Sequence, residues 1–316
     1  MSRRVLVTGG GGFVGSNLVH RLLELGDDVV VLDNFSTGNR GNLGGLAGDV
    51  EVVEGELRSY ERVHAATRGV EIVFHQGALP SVPRSVQDPL TTSAVNVEGT
   101  LNVLLAARDS GVRRVVFASS SSVYGNTGDL PRVETQHTDP ISPYGVSKLA
   151  AERYCVAFSR VYDLETVALR YFNVFGPRQD PRSQYAAVVP RFIAAIAADR
   201  PVTIYGDGSQ SRDFTYVGNV VEANLLAADA PGVNGAVLNI ATGRKTTVNE
   251  LVEAVGEMLG LPAEKQFLPD RAGDVRDSWA DITAARELLG FEPRVGLEEG
   301  LRRAAEAFTG AAALGR

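Results

Sequence analysis

The stretch Val5-Leu6-Val7-Thr8-Gly9-Gly10-Gly11-Gly12-Phe13-Val14-Gly15 runs a short apolar segment straight into a glycine-rich turn. An amphipathic segment follows over residues 16–25, and then a second apolar run, Val29-Val30-Val31-Leu32-Asp33. Strand, glycine turn, helix, strand is a βαβ unit, and it predicts parallel pairing. Gly9, Gly12 and Gly15 stand three apart at the strand-to-helix turn. One glycine makes the tight turn, the next lets backbone approach a pyrophosphate, and the third lets helix pack on strand. An anion then sits on free N–H groups at the helix N-terminus. Any glycine-rich turn could show this spacing. The flanking strand and helix, with Asp33 beyond, point to a dinucleotide.

Asp33 ends the second strand, where a carboxylate is expected to accept hydrogen bonds from the adenosine ribose hydroxyls. The same charge repels a 2′-phosphate, so NAD is expected rather than NADP. Arg40, downstream, reads as a solvated arginine.

The alternation continues. Residues 50–54, 71–75, 113–119 and 165–171 read as strands, and 59–68, 86–110 and 144–162 as helices. Val115-Val116-Phe117-Ala118 is a continuous apolar run, the mark of a strand covered on both faces. The expected fold class is α/β: a Rossmann-like doubly wound parallel sheet with a smaller mixed α/β substrate domain. Residues 1–172 are assigned to the NAD-binding domain, with return segments near 213–242. Residues 173–212 and 243–310 are assigned to the second domain. Segment 176–186 is polar and turn-rich and reads as a loop, because apolar periodicity resumes over 188–198. Short strands are expected at 202–205, 214–217 and 237–240. Helices are expected near 219–228, 248–259, 282–289 and 297–308. The small-residue end, 309–316, reads as frayed.

Composition narrows the function classes. The chain has 316 residues, 44% hydrophobic and 22% charged, which argues against disorder. A net charge of -7 offers no broad cationic field, so nucleic acid is not an expected partner. The single cysteine, Cys155, cannot form an internal disulfide, and a reducing compartment fits. The N-terminus lacks the apolar core of a signal peptide, and no uncharged apolar run approaches the ~18 residues of a membrane span. A cytoplasmic protein with no membrane partner and no metal site is expected.

Tyr144-Gly145-Val146-Ser147-Lys148 opens a helical stretch after Pro140 and Pro143. The i, i+4 spacing puts both side chains on one helical face. An ammonium beside a phenol favours the phenolate, so Tyr144 is a candidate general base. The plain alternative is an exposed tyrosine with a solvated lysine. The 31 basic residues include only three lysines, Lys148, Lys245 and Lys265, so a lysine here suggests a specific need. Ser119-Ser120-Ser121-Ser122 ends the strand 113–119, and ligands bind at such strand ends. A polar turn would also explain the serines.

Taken together, residues 9–15, Asn96-Val97-Glu98-Gly99-Thr100, the serines running to Tyr124-Gly125, Tyr144 with Lys148, and Arg170-Tyr171-Phe172-Asn173 carry a family resemblance. The chain resembles the extended short-chain dehydrogenase/reductases, and within them the NAD-dependent nucleotide-sugar 4-epimerases. The resemblance runs to about Phe308. It implies that Tyr144, Lys148 and Ser120 are catalytic, with Ser120 on the sugar 4-hydroxyl and Lys148 also on the nicotinamide ribose. It implies cofactor contacts at Gly9, Gly12, Phe13, Val14, Gly15, Asp33, Asn34, Ser36, Thr37, Gly38, Glu56 and Leu57. Further ones are implied at Gln76, Gly77, Ala78, Asn96, Ala118, Tyr171 and Phe172. Glu56 stands where the family usually has aspartate near adenine, and Pro80 where some epimerases set a lysine on the pyrophosphate.

Related 4,6-dehydratases carry Asp-Glu at the places of Ser121 and Ser122, and related decarboxylases a glutamate at that of Ser122. Eliminating water needs groups that deliver and accept protons, and serines do this poorly. One base, one hydride acceptor and hydrogen bonds to the sugar suit 4-epimerisation, with NAD tightly bound and regenerated each cycle.

The resemblance also implies substrate contacts at Ser81, Val82, Ser120, Ser121, Ser122, Asn173, Ala187, Val188, Thr203, Tyr205, Arg212, Arg271, Asp274 and Ser278. Arg212 and Arg271 match positions gripping a diphosphate, which an arginine fork suits. Each could also be a surface ion pair. A small residue at Ser278 leaves room for a 2-acetamido group, so UDP-GlcNAc/UDP-GalNAc is the expected pair. UDP-glucose/UDP-galactose and UDP-glucuronate are the alternatives, with Arg84 or Arg178 able to meet a 6-carboxylate. A net dehydrogenase and a dinucleotide-sensing Rossmann protein remain rival readings. A homodimer through a four-helix interface is implied, from helices 86–110 and 144–162.

Overall fold

The computed structural model describes residues 2–126, 128–180, 188–269 and 275–314. Strands β1 (Arg4–Thr8), β2 (Asp28–Asp33), β3 (Glu51–Glu54), β4 (Ile72–His75), β5 (Arg114–Ser120) and β6 (Glu165–Tyr171) are mutually parallel. The strand Ala236–Ile240 joins them beside β6 in a seven-stranded sheet. The order from that edge is Ala236–Ile240, β6, β5, β4, β1, β2, β3. Connections run one way from β1 and the other way from β4, so a crevice opens at the carboxyl ends of these two strands.

Side chains alternate along each strand, and both faces are covered. Val5, Val7, Val29 and Val31 pack under helix α1 (Phe13–Glu24) through Leu18, Val19 and Leu22. The helix Val217–Asp229 extends that layer with Val220 and Ala223. On the other face, Leu6, Val30, Val115 and Phe117 meet Val63 of helix α2 (Tyr60–Ala66). Val103 of the helix Gly99–Asp109 and Ala151, Cys155 and Phe158 of the helix Pro143–Val161 complete it. Each fully buried valine, leucine or phenylalanine among them contributes about 1.5–3 kcal/mol. A third core joins Phe192 and Ile193, Val202 and Ile204, Leu251 and Val255, and Leu301. Its parallel pair Val202–Tyr205 with Lys265–Leu268 is separate from the main sheet.

Two expectations are corrected. The single helix over 86–110 is broken into Val82–Gln87, Pro89–Ser93, a π turn Ala94–Glu98 and Gly99–Asp109. Pro89 has no N–H to continue the first helix, and Asp88 instead caps the next one by accepting from Thr91 N at 3.0 Å. The C-terminal end is not frayed from 309: the last helix runs Leu297–Leu314, and its alanines favour helix.

The helix Pro143–Val161 starts where Ser142 Oγ accepts from Gly145 N at 3.1 Å and Pro143 takes the first turn. Glu152 on this helix is fully buried, as is Arg170 on β6. Arg170 Nε and Nη2 reach its two oxygens at 2.9 and 2.7 Å. Arg170 also lies 4.7 Å from the centre of the Tyr124 ring. Arg170→Met would leave a buried carboxylate unpaired, a loss of about 3–5 kcal/mol. Urea unfolding at pH 7 is expected to show a loss of that size; a change below about 1 kcal/mol, the range of exposed pairs, would contradict it.

Candidate active site

The glycine turn has little freedom. Gly9 has φ 69°, and a Cβ there would lie 2.6 Å from Gly77 Cα. A Cβ on Gly15 would lie 2.2 Å from Gly9 O. Gly12 N donates to Gly9 O at 3.0 Å. No side chain caps α1 at Gly12, and its first turn carries no acid. The start of α1 therefore presents backbone N–H groups and the positive end of the helix dipole. Asp33 is tied to the turn: Oδ2 accepts from Gly11 N at 2.8 Å and Oδ1 from Phe35 N at 2.7 Å. Arg40 is exposed, as expected, but paired with Glu54 and stacked 4.1 Å over the Phe35 ring.

A cavity of about 570 Å³ opens here. Its walls are the glycine turn with Phe13 and Val14, then Asp33, Asn34 and residues 36–38, then Glu56 and Leu57. Residues 76–78, Ser81, Ala118, Tyr144, Lys148 and Tyr171 close it. Arg58, Leu79 and Val95 also line it without having been singled out. Their backbone follows strand ends and turns whose path only the fold reveals. Phe172 does not line the cavity; it is fully enclosed in the core, 6.2 Å from the Tyr124 ring. Asn96 is buried too, accepting from Leu79 N at 2.8 Å and donating to Ser147 Oγ at 3.0 Å.

Tyr144, Lys148 and Glu152 recur every fourth residue on the helix face toward β5. Lys148 Nζ donates to Ala118 O at 2.8 Å. Ser119 Oγ donates to Glu152 Oε2 at 2.7 Å. Ser120 lies near enough to the Tyr144 phenol to lower its proton affinity. Ser122 Oγ and N donate to Ser120 Oγ at 2.9 and 3.2 Å, and Ser121 and Ser122 begin a short 3₁₀ turn, Ser121–Tyr124. Tyr144 N–H donates to Ser85 Oγ at 3.0 Å.

The electrostatics differ from expectation. Burial raises the Tyr144 phenol above its ordinary value, with Ser120 opposing. Burial also pulls the Lys148 ammonium down to about 8. The Tyr144 phenol is thus governed by its own burial, not by the ammonium expected to lower it.

Val82 opens the helix after Ser81, whose Oγ accepts from Arg84 N at 3.1 Å. Asn173 has φ 30°. Val188 starts the helix Val188–Ala197, and Thr203 and Tyr205 lie on Val202–Tyr205. Arg212 and Ser278 face each other across two paired strands, Ser211–Arg212 and Asp277–Ser278. Ala187, Arg271 and Asp274 lie outside the described residues. Arg84 lines the cavity, whereas Arg178 Nη2 donates to Asn17 Oδ1 of α1 at 2.8 Å. Among the described residues no group of His, Cys, Asp and Glu could hold a metal ion, and no helix is long and apolar enough to cross a membrane.

Residues 5–241 match the NAD dependent epimerase/dehydratase family. The UDP-glucose 4-epimerase of Mycolicibacterium smegmatis is 41% identical over 313 residues, spanning 96% of this chain and 98% of the relative. The solved structure of a UDP-glucose 4-epimerase from Thermus thermophilus, in complex with NAD, is similar at TM-score 0.89 and 40% identity, covering 98% of this chain and 99% of that one. A UDP-N-acetylglucosamine 4-epimerase from Methanobrevibacter ruminantium, in complex with UDP-N-acetylmuramic acid, is similar at TM-score 0.94 and 38% identity, with coverage of 98% and 99%.

Two outcomes follow from this geometry. Lys148 loses its proton near pH 8 in the folded chain, so NAD affinity is expected to fall as pH rises through 8. In Lys148→Met, weaker at the start, affinity is expected to stay level over that interval; calorimetric titration at pH 7 and 9.5 checks both. Tyr144→Phe is expected to lower turnover by about 10²–10⁴ while NAD affinity holds within a few-fold.

Proposed function

The chain belongs to the NAD dependent epimerase/dehydratase family, and on that premise we propose that it is a UDP-sugar 4-epimerase with UDP-GlcNAc/UDP-GalNAc as its favoured pair. One observation carries the reading: Ser120, Tyr144 and Lys148 converge at the open end of β5, with serines and no carboxylate at 121 and 122.

The residues fit the dinucleotide: Gly9 and Gly15 leave no room for a side chain against the neighbouring backbone, which keeps the turn tight, and α1 is uncapped beside it. When bound there, NAD would supply the hydride acceptor and donor for C4 and a positive ring that would favour the phenolate. Tyr144 takes the 4-hydroxyl proton and gives it back. Ser120 holds that same hydroxyl in line. Lys148, steadied by Ala118 O, is suited to the nicotinamide ribose and adds positive charge beneath the phenol. Between the two halves the 4-keto sugar turns over about its diphosphate linkage. Arg212, Arg271 and Asp274 are the proposed grip on the nucleotide, and Val82, Asn173, Ala187, Val188, Thr203 and Tyr205 its surroundings.

Ser278 supports the acetamido sugar, as does the similarity to a UDP-N-acetylglucosamine 4-epimerase. The similarity to a UDP-glucose 4-epimerase supports UDP-glucose/UDP-galactose as a second pair. UDP-glucuronate remains a third reading: Arg84 lines the cavity, whereas Arg178 is engaged by Asn17.

We further propose a homodimer. Val86 and Leu90 are 64% and 83% exposed on the broken helix, and Val146, 53% exposed, lines a groove with Pro89, Ser93 and Pro143. A second copy of the same helices would cover it, as the broken helix still presents its apolar face there.

Anomeric-proton NMR on protein without added NAD is expected to show UDP-GalNAc forming from UDP-GlcNAc, with no net growth of NADH absorbance. Conversion of UDP-glucose or UDP-glucuronate alone would overturn the sugar choice, and no conversion with added NAD would favour a sensor. Ser278→Tyr is expected to raise the ratio of UDP-glucose to UDP-GlcNAc turnover at least about tenfold, a steric discrimination of ordinary size. Light scattering is expected to give a dimer for the wild type and a monomer for Leu90→Glu.

A further inference from the structure

His75 ends β4 with its side chain enclosed, and no step of the proposed reaction uses it. Its ring lies 5.6 Å from that of Phe117, so a packing role alone would suit any flat apolar side chain. Its two nitrogens argue for more. Nδ1 lies 2.7 Å from Thr8 Oγ1 and Nε2 lies 2.9 Å from Thr100 Oγ1.

The direction of each bond follows from the ends of the chain. Thr100 Oγ1 gives its one proton to Asn96 O at 2.7 Å. It therefore accepts from the ring, and Nε2 carries the hydrogen. Nδ1 is then the acceptor in a neutral ring and takes the proton of Thr8 Oγ1. Thr8 Oγ1 in turn accepts from Gly77 N at 3.1 Å. Burial, with the Lys148 charge nearby, holds the ring's proton affinity down at about 3, which agrees with a neutral imidazole.

Both ends of this chain matter. Gly77 lines the cavity and presses on Gly9. Asn96, at the other end, holds Leu79 N and Ser147 Oγ, and Ser147 Oγ donates to Tyr144 O at 2.8 Å. We propose that His75 is a positioning residue: in its Nε2–H form it fixes the loop 76–79 against the glycine turn and thereby sets dinucleotide affinity, while linking that loop to the helix of Tyr144. The inference rests on NAD occupying this cavity and is independent of which sugar is turned over.

Two measurements test it on the full chain. Long-range nitrogen–proton NMR of the histidines at pH 7.5 is expected to show His75 with a bare Nδ1 and a protonated Nε2. Calorimetric titration with NAD is expected to show at least about tenfold weaker binding in Thr8→Val and His75→Phe, as for a buried donor left unpaired. Thr8→Val keeps the shape of the site and guards against misfolding of His75→Phe. His75→Gln, which offers an acceptor and a donor at similar spacing, is expected to recover affinity to within about threefold. A protonated Nδ1, or NAD affinity unchanged in Thr8→Val and His75→Phe, would overturn the proposal. No sugar enters either readout, so an inactive enzyme with these affinities would still support it.

Discussion

Three successive residues at the end of β5 are fastened to three successive turns of one helix. Ala118 O holds Lys148, Ser119 holds Glu152, and Ser120 meets Tyr144. The middle fastening is the anchor, because Glu152 is itself gripped by Arg170 on the neighbouring strand. Strand and helix cannot slide past one another without exposing that buried pair to loss of its hydrogen bonds. The reacting groups, one and two turns before Glu152 on the same helix, inherit the fixed geometry. Burial has a cost, since desolvation opposes both the ammonium of Lys148 and the phenolate of Tyr144. The site is thus held in a state that a bound cation at the cavity can tip.

The opposite wall is built by close approach rather than by charge. Gly9 and Gly15 let three backbone segments meet where no side chain fits. Asp33 fastens the turn to the end of β2, and the Thr8–His75–Thr100 chain fastens it to the loop after β4. Because that chain ends at Asn96 and Ser147, the glycine turn and the Tyr144 helix belong to one continuous polar framework.

Much of this was legible in the sequence. The apolar runs marked the central strands of the sheet because these are covered on both faces, and residues 165–171 match β6 from end to end. The spacing of Tyr144 and Lys148 put both on one helical face. Other features depend on context that no local pattern carries. The break at Asp88-Pro89 hid within an apolar periodicity that continues on either side of it. Phe172 sits beside cavity residue Tyr171, yet the alternation of an extended chain turns it into the core. Arg178 looked available to a substrate until the fold laid it along α1. The role proposed for His75 arises only from hydroxyls 67 positions before it and 25 after it in the chain.

The central claim is that hydride leaves C4 and returns to the same carbon within one bound state. UDP-GlcNAc deuterated at C4, incubated with the protein in ordinary water, tests it most directly. The account predicts UDP-GalNAc that retains deuterium at C4. Loss of deuterium to solvent, or product formed without inversion at C4, would contradict it.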